Sequence, residues 1–205
     1  MAHALTPEEF RARTGVSRET LDRLAIYSDL LAKWNRSINL VSRGSLADIW
    51  RRHMLDSAQL LPLAPQRGGT WLDLGSGAGF PGLVLAIMGA GKVHLIESDA
   101  RKAAFLREVI RATGPSAIVH NARIEATAPF PADVITARAL APLPDLLALA
   151  APFATKATVM LFPKGRDVER ELTESAKSWT IAAEHIRSLT DPASIILKVR
   201  EVSRV

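Results

Sequence analysis

The chain has 205 residues and a mass of 22.2 kDa, which at about 150 residues per domain fits one domain with an appendage better than two. Hydrophobic residues make up 48% and charged residues 23%, the mixture of an ordinary soluble protein, and the absence of cysteine excludes disulfides, thiolate zinc sites, iron–sulfur clusters and a cysteine nucleophile. The net charge is +5, spread as +2, +1 and +2 over residues 1–66, 67–150 and 151–205. A basic tail is therefore excluded, and any surface for a polyanion must be assembled by folding.

In chain order, residues 1–66 read as a helical extension. Thr6, Pro7 and Glu9 form a capping box with proline at the first helical position. Ser17 opens a second helix whose apolar stripe runs Leu21, Leu24, Tyr27, Leu30, Leu31 and Trp34. A polar turn over residues 34–42 follows. Ser45 with Asp48 then repeats the capping pattern before Ile49, Trp50, His53 and Met54. No apolar run of about 18 residues occurs, and MAHALTPEEFRARTG lacks a basic stretch followed by an apolar one, so the default expectation is cytoplasmic, with no membrane partner.

Past residue 66 the texture changes. Strands are predicted over 70–74, 92–97, 117–121, 133–136, 157–162 and 194–199, and helices over 82–88, 100–113, 143–151 and 168–178. Residues 179–185 read as one further strand, antiparallel and near an edge. The alternation predicts an α/β domain over 67–205, a mostly parallel sheet with helices on both faces, onto which residues 1–66 pack.

The strongest chemical signal is Asp73-Leu74-Gly75-Ser76-Gly77-Ala78-Gly79-Phe80-Pro81-Gly82, a glycine loop placed directly after the first strand. Such a loop lets backbone approach a ligand closely. Glu97 ends the next strand 22 residues beyond Gly75, where a carboxylate accepts both hydroxyls of a ribose. The pair describes an adenosine-containing cofactor. No Gly-Lys-Ser/Thr follows, which excludes a Walker loop. Between a dinucleotide and S-adenosylmethionine, the G-x-G-x-G spacing and Asp73 favour the latter. A carboxylate there repels a pyrophosphate but suits an α-ammonium group, directly or through water.

Three further positions follow the later strands. Arg123-Ile124-Glu125, taken alone, reads as solvated charge, whereas Arg138 between alanines points into the crevice where open α/β sheets bind ligands. Lys164-Gly165 occupies the matching place on the next strand. His53, Asp56 and Ser57 mimic a hydrolytic triad, but no serine sits on a sharp strand-to-helix turn, so capping or packing is the reading. The remaining histidines show no metal-ligand spacing, and no metal is expected.

Together these segments resemble the RsmG (GidB) rRNA methyltransferases. The likeness covers Trp34-Asn35, Asn39-Leu40, His53, Asp56-Ser57 and the run from Asp73 to Gly82. It continues through Glu97-Ser98, Arg101-Lys102, Phe105-Leu106, Arg123-x-Glu125, Arg138-Ala139 and Lys164-Gly165. The resemblance implies a Rossmann-like class I S-adenosylmethionine-dependent methyltransferase domain. It also implies methyl transfer to N7 of a guanine in the 530 loop of 16S rRNA, with that RNA or the small ribosomal subunit as partner.

By the same likeness Gly75, Phe80, Ile124, Glu125 and Arg138 contact the cofactor, joining Asp73, Gly77, Gly79 and Glu97. Lys102, Arg123 and Lys164 are assigned to the RNA side, and Arg51 and Arg52 are candidates for the same face. Guanine N7 carries a free lone pair and no proton, so no general base is required, and in-line positioning, worth up to about 7–11 kcal/mol, supplies the catalysis. Two rivals stand beside this reading: a nicotinamide-dependent oxidoreductase, and a non-catalytic RNA-binding or assembly protein.

Overall fold

A computed structural model describes residues 4–65 and 68–205, so the expected boundary at residues 66 and 67 lies outside the described residues. Helix α1 (Pro7–Thr14) starts at the expected capping box, with Thr6 and Glu9 bonded reciprocally, and ends at Gly15 in a left-handed conformation. Ser17 caps α2 (Arg18–Trp34), which buries Leu21, Leu24, Tyr27 and Leu31 along one face.

The next helix departs from expectation. Its cap is Ser42 rather than Ser45, and α3 (Arg43–Leu46) lasts barely one turn. Ser45 is instead tied back to Ser42, while Asp48 accepts from the backbone N–H of Leu5 and the guanidinium of Arg51. The apolar stripe that follows winds as a π-helical turn, Trp50–Leu55, running into α4 (Asp56–Ala58). A π turn rotates side chains off the 100° register, and such turns recur at functional sites. His53 lies buried within it, beside Trp50 and Met54.

The sheet holds β1 (Gly69–Leu74), β2 (Gly91–Ile96), β3 (Ala117–His120), β4 (Ala132–Ala137), β5 (Ala154–Lys164), β6 (Trp179–Arg187) and β7 (Ile195–Arg204). Their spatial order is β3-β2-β1-β4-β5-β7-β6. The first five are parallel, and β7 and β6 complete the edge antiparallel. The strand order reverses between β1 and β4, so a crevice opens at their carboxyl ends, where open α/β sheets bind ligands.

Strand alternation sorts the core into two layers. Trp71, Val93, Val134, Val159 and Leu161 face the N-terminal helices, α5 (Gly82–Ile87) and α6 (Ala100–Thr113). Leu72, Leu74, Ile135, Met160 and Phe162 face α7 (Leu143–Ala150) and α8 (Val168–Ser175). Residues of α1, α2 and the π turn share one continuous core with the sheet. Tyr27 stacks on Phe80 at 5.2 Å, Trp34 lies 5.6 Å from Phe105, and Phe10 lies 5.4 Å from Trp50. Each such aromatic contact adds roughly 0.5–1.5 kcal/mol beyond the burial of its area.

Candidate cofactor and substrate site

The glycine loop leaves β1 at Leu74 and is braced on three sides. Ser76 N–H donates to the Ile96 carbonyl at 3.0 Å, Gly79 N–H to the Ser76 carbonyl at 2.7 Å, and the Tyr27 hydroxyl of α2 to the Ala78 carbonyl. Gly79, at φ +94, shows why no side chain is admitted: a Cβ there would lie 2.6 Å from Leu83 Cδ1 and 2.7 Å from the Tyr27 hydroxyl. That glycine accommodates the N-terminal helix.

Glu97, just past β2, accepts from Gly77 N–H at 2.8 Å through Oε2 and from Asp99 N–H at 2.7 Å through Oε1. It thereby ties the loop to the start of α6, which Asp99 caps through Arg101 and Lys102 N–H. Each carboxylate oxygen keeps a second lone pair for a ligand, and Glu97 lines the crevice.

The crevice has a volume of about 500 Å³. Of the residues expected from sequence, Gly75, Gly77, Phe80, Glu97, Ile124, Glu125 and Arg138 line it, together with Lys102 and Arg123. Ile124 and Glu125 sit on a single 3₁₀ turn after β3. Leu40, from the Asn39-Leu40 pair of the resemblance, also lines it, as do Val41 and Leu140, which no sequence motif singles out. Leu40 and Val41 are brought there by Asn35, whose Oδ1 accepts both of their N–H groups and whose Nδ2 donates to the Val41 carbonyl.

Three of the expected residues lie away from the crevice lining. Asp73 does not line the crevice. It is 1% exposed beneath the loop, where it accepts the Thr136 hydroxyl at 2.7 Å and Gly82 N–H at 3.3 Å, so it props the loop from below. Burial pushes its pKa up to about 6 against those hydrogen bonds. Gly79 likewise packs on the far side of the loop, for the steric reason given. Lys164, expected on the RNA side, lies outside this crevice: its side chain is 9% exposed, bonded to Glu171 at 2.7 Å and to the Ala141 carbonyl at 3.2 Å. Of the arginine pair in the π turn, Arg51 bonds Asp48 and only Arg52 is exposed.

Sequence alone assigns His53 to packing, yet it reaches the site. Arg138 donates to its Nδ1 at 2.8 Å, to the Arg52 carbonyl at 3.2 Å and to Asp56 at 3.3 Å, with the guanidinium 5.1 Å from the centre of Phe80. The His53 ring stacks on Phe80 at 4.6 Å. An arginine only donates, so Nδ1 is the acceptor and the proton is on Nε2. Burial, then Arg138 and Arg52, lower the His53 pKa to about 3, which keeps the ring neutral. Ser57 Oγ is buried with no hydrogen-bond partner, so His53 and Ser57 form no nucleophile pair. The sequence signals for this clamp are His53, Asp56 and Arg138 as separate pieces of the family resemblance, with nothing in the chain to show that they meet. Among the described residues, no helix is long and apolar enough to cross a membrane, and no group of three or more His, Asp or Glu is arranged around a metal.

Residues 20–194 match the family model described as rRNA small subunit methyltransferase G. The Ribosomal RNA small subunit methyltransferase G of Paramagnetospirillum magneticum is 58% identical over 198 residues, covering 97% of each chain. That of Rhodospirillum rubrum is 52% identical over 200 residues, covering 98% of this chain and all of the other. Among solved structures, the ribosomal protein L11 methylase of Lactobacillus delbrueckii superposes with a TM-score of 0.56 at 20% identity, over 72% of this chain and 76% of the other. M. jannaschii TYW2 in complex with AdoMet gives 0.59 at 15% identity, over 83% and 80%. The likeness to these structures is one of fold: the Rossmann-like class I methyltransferase sheet that the resemblance implied.

Proposed function

The chain belongs to the rRNA small subunit methyltransferase G family, and from that premise we propose that it transfers a methyl group from S-adenosylmethionine to N7 of a guanine in the 530 loop of 16S rRNA. The observation that supports this reading is the convergence of the glycine loop, Glu97, and Ile124 and Glu125 in one crevice, with Lys102 and Arg123 also lining it.

The residues fit the donor. Backbone at Gly75 and Gly77 approaches without side chains, and at Gly75, φ +63, a Cβ would collide with Leu140 Cδ1 at 2.6 Å. Glu97 would hold the ribose hydroxyls, and the turn at Ile124 and Glu125 would meet the adenine edge. When bound, the sulfonium supplies an electrophilic methyl group. The chain's own residues then have to orient and to exclude water. Phe80 and Arg138 form a wall backed by His53, and Leu40, Val41 and Leu140 supply apolar cover. Because guanine N7 bears no proton, no side chain needs to remove one, and none of the crevice residues is required as a general base. Exposed Arg36, Arg101 and Arg123 would meet RNA phosphates.

The test is incubation of the protein with labelled S-adenosylmethionine and small subunits lacking the modification, followed by mapping of the labelled nucleotide. Label at N7 of one 530-loop guanine is expected, and label elsewhere in the RNA refutes the position. Glu97→Ala is expected to weaken calorimetric cofactor affinity by about 2 kcal/mol, the loss of a charged acceptor.

A further inference from the structure

Beside the crevice lies a second cavity of about 480 Å³, at the carboxyl ends of β4 and β5. The two share a wall, since Arg138, Ala139 and Leu140 line both. Ala139 holds a left-handed backbone at φ 52, a conformation unfavourable for alanine, and that turn lays Leu140 over Gly75. The divider between the cavities is thus one strained turn.

The second cavity is built around an ion pair. Lys164 Nζ donates to Glu171 Oε2, and the same oxygen accepts Leu143 N–H at 2.8 Å. Both bonds end on Oε2, and among the described residues Oε1 makes no hydrogen bond. A mostly buried ion pair is weak support for stability, because desolvation offsets its attraction. As a ligand group it is well placed: a carboxylate locked by an ammonium and a backbone amide offers a fixed acceptor toward the cavity. Pro163 and Ile195 supply apolar walls.

A purine whose N7 faces the crevice turns its opposite edge away from it. On guanine that edge carries N1–H and N2–H donors, which a carboxylate accepts. On adenine it carries the N1 lone pair, which a carboxylate repels. We infer that the second cavity seats the target base, swung out of its RNA loop, with Glu171 accepting from the N1–H and N2–H edge of guanine and Lys164 positioning that carboxylate. This assignment rests on the rRNA methyltransferase reading above and makes Glu171 a specificity-determining residue.

The experiment compares wild-type protein, Glu171→Gln and Ile195→Trp on unmodified small subunits carrying either the target guanine or adenine in its place. Wild-type protein is expected to label guanine and spare adenine. Glu171→Gln is expected to lose roughly ten- to a hundredfold in transfer to guanine, the loss of a charged hydrogen bond. Its guanine-over-adenine preference falls as well, because an amide can donate to adenine N1, and its calorimetric S-adenosylmethionine affinity is unchanged. Ile195→Trp fills the cavity from β7, opposite Lys164 in the ladder, and is expected to abolish transfer with donor affinity intact. A folded Glu171→Gln that keeps its rate, or loses rate with its preference unaltered, overturns the assignment, as does an active Ile195→Trp. Absence of label from wild-type protein instead overturns the rRNA methyltransferase reading on which it rests.

Discussion

Gly79 in the glycine loop and Asp73 beneath it show how single positions constrain the site from outside the crevice lining. Gly79 sits at a positive φ with Leu83 and Tyr27 where its Cβ would be. Gly79→Ala therefore combines backbone strain with overpacking, each costing roughly 1–3 kcal/mol, and denaturant unfolding is expected to show a loss within that range or above it. Asp73 carries a pH signature. Its native pKa of about 6 lies above the ordinary carboxyl value of 3.8, so between those pH values the folded chain binds more protons than the unfolded one. The contribution of this group is therefore full below about pH 4 and is lost as pH rises through 6. Two units correspond to about 3 kcal/mol. Relative to wild type, Asp73→Asn is expected to gain up to that amount in unfolding free energy between pH 4 and pH 7, and parallel curves for the two proteins would count against the shifted carboxyl.

The N-terminal helices do more than cover one face of the sheet. Helix α2 supplies the hydroxyl that braces Ala78, and the π turn supplies the carbonyl of Arg52 and the side chain of His53, which with Asp56 hold Arg138. Substitution at His53 separates hydrogen bonding from packing. Asparagine places an acceptor near the former Nδ1, whereas phenylalanine keeps the stack on Phe80 and leaves a guanidinium N–H unpaired. His53→Phe is expected to lose methyl-transfer rate by about tenfold or more, while His53→Asn retains most of it. Since His53 becomes charged only near pH 3, the rate profile between about pH 5 and pH 9 is expected to show no inflection that His53→Asn removes. Equal losses in both variants would assign His53 to packing alone.

Across the protein as a whole, the +5 charge becomes meaningful only where folding concentrates it. Arg36 and Arg101 line a groove that shares Lys102 with the cofactor crevice, although they stand 65 positions apart in the chain. Reversal of both to glutamate is expected to weaken subunit binding and flatten its salt dependence by about one unit of slope for each phosphate no longer neutralised, with donor affinity unchanged. An unaltered salt slope would move the RNA face elsewhere. Much of the architecture is legible in the chain alone. The alternation of short strands with helices specifies the parallel sheet, and the glycine loop with Glu97 marks the crevice, because period, turn chemistry and strand-end position are local properties written in consecutive residues. Residues 157–162 read as a short strand that in fact extends over Ala154–Lys164. Its ends find ladder partners only in distant strands, Ala154 on β4 and Pro163 and Lys164 on β7. The sequence by itself thus determined the sheet, its helices and most of the residues that line the crevice. Tertiary structure alone decided that Asp73 lies under the loop, that Lys164 is claimed by Glu171, and that His53 grips Arg138 from 85 residues away. Those outcomes depend on burial and on which distant partner neutralises each charge, and neither is encoded in any local stretch of chain.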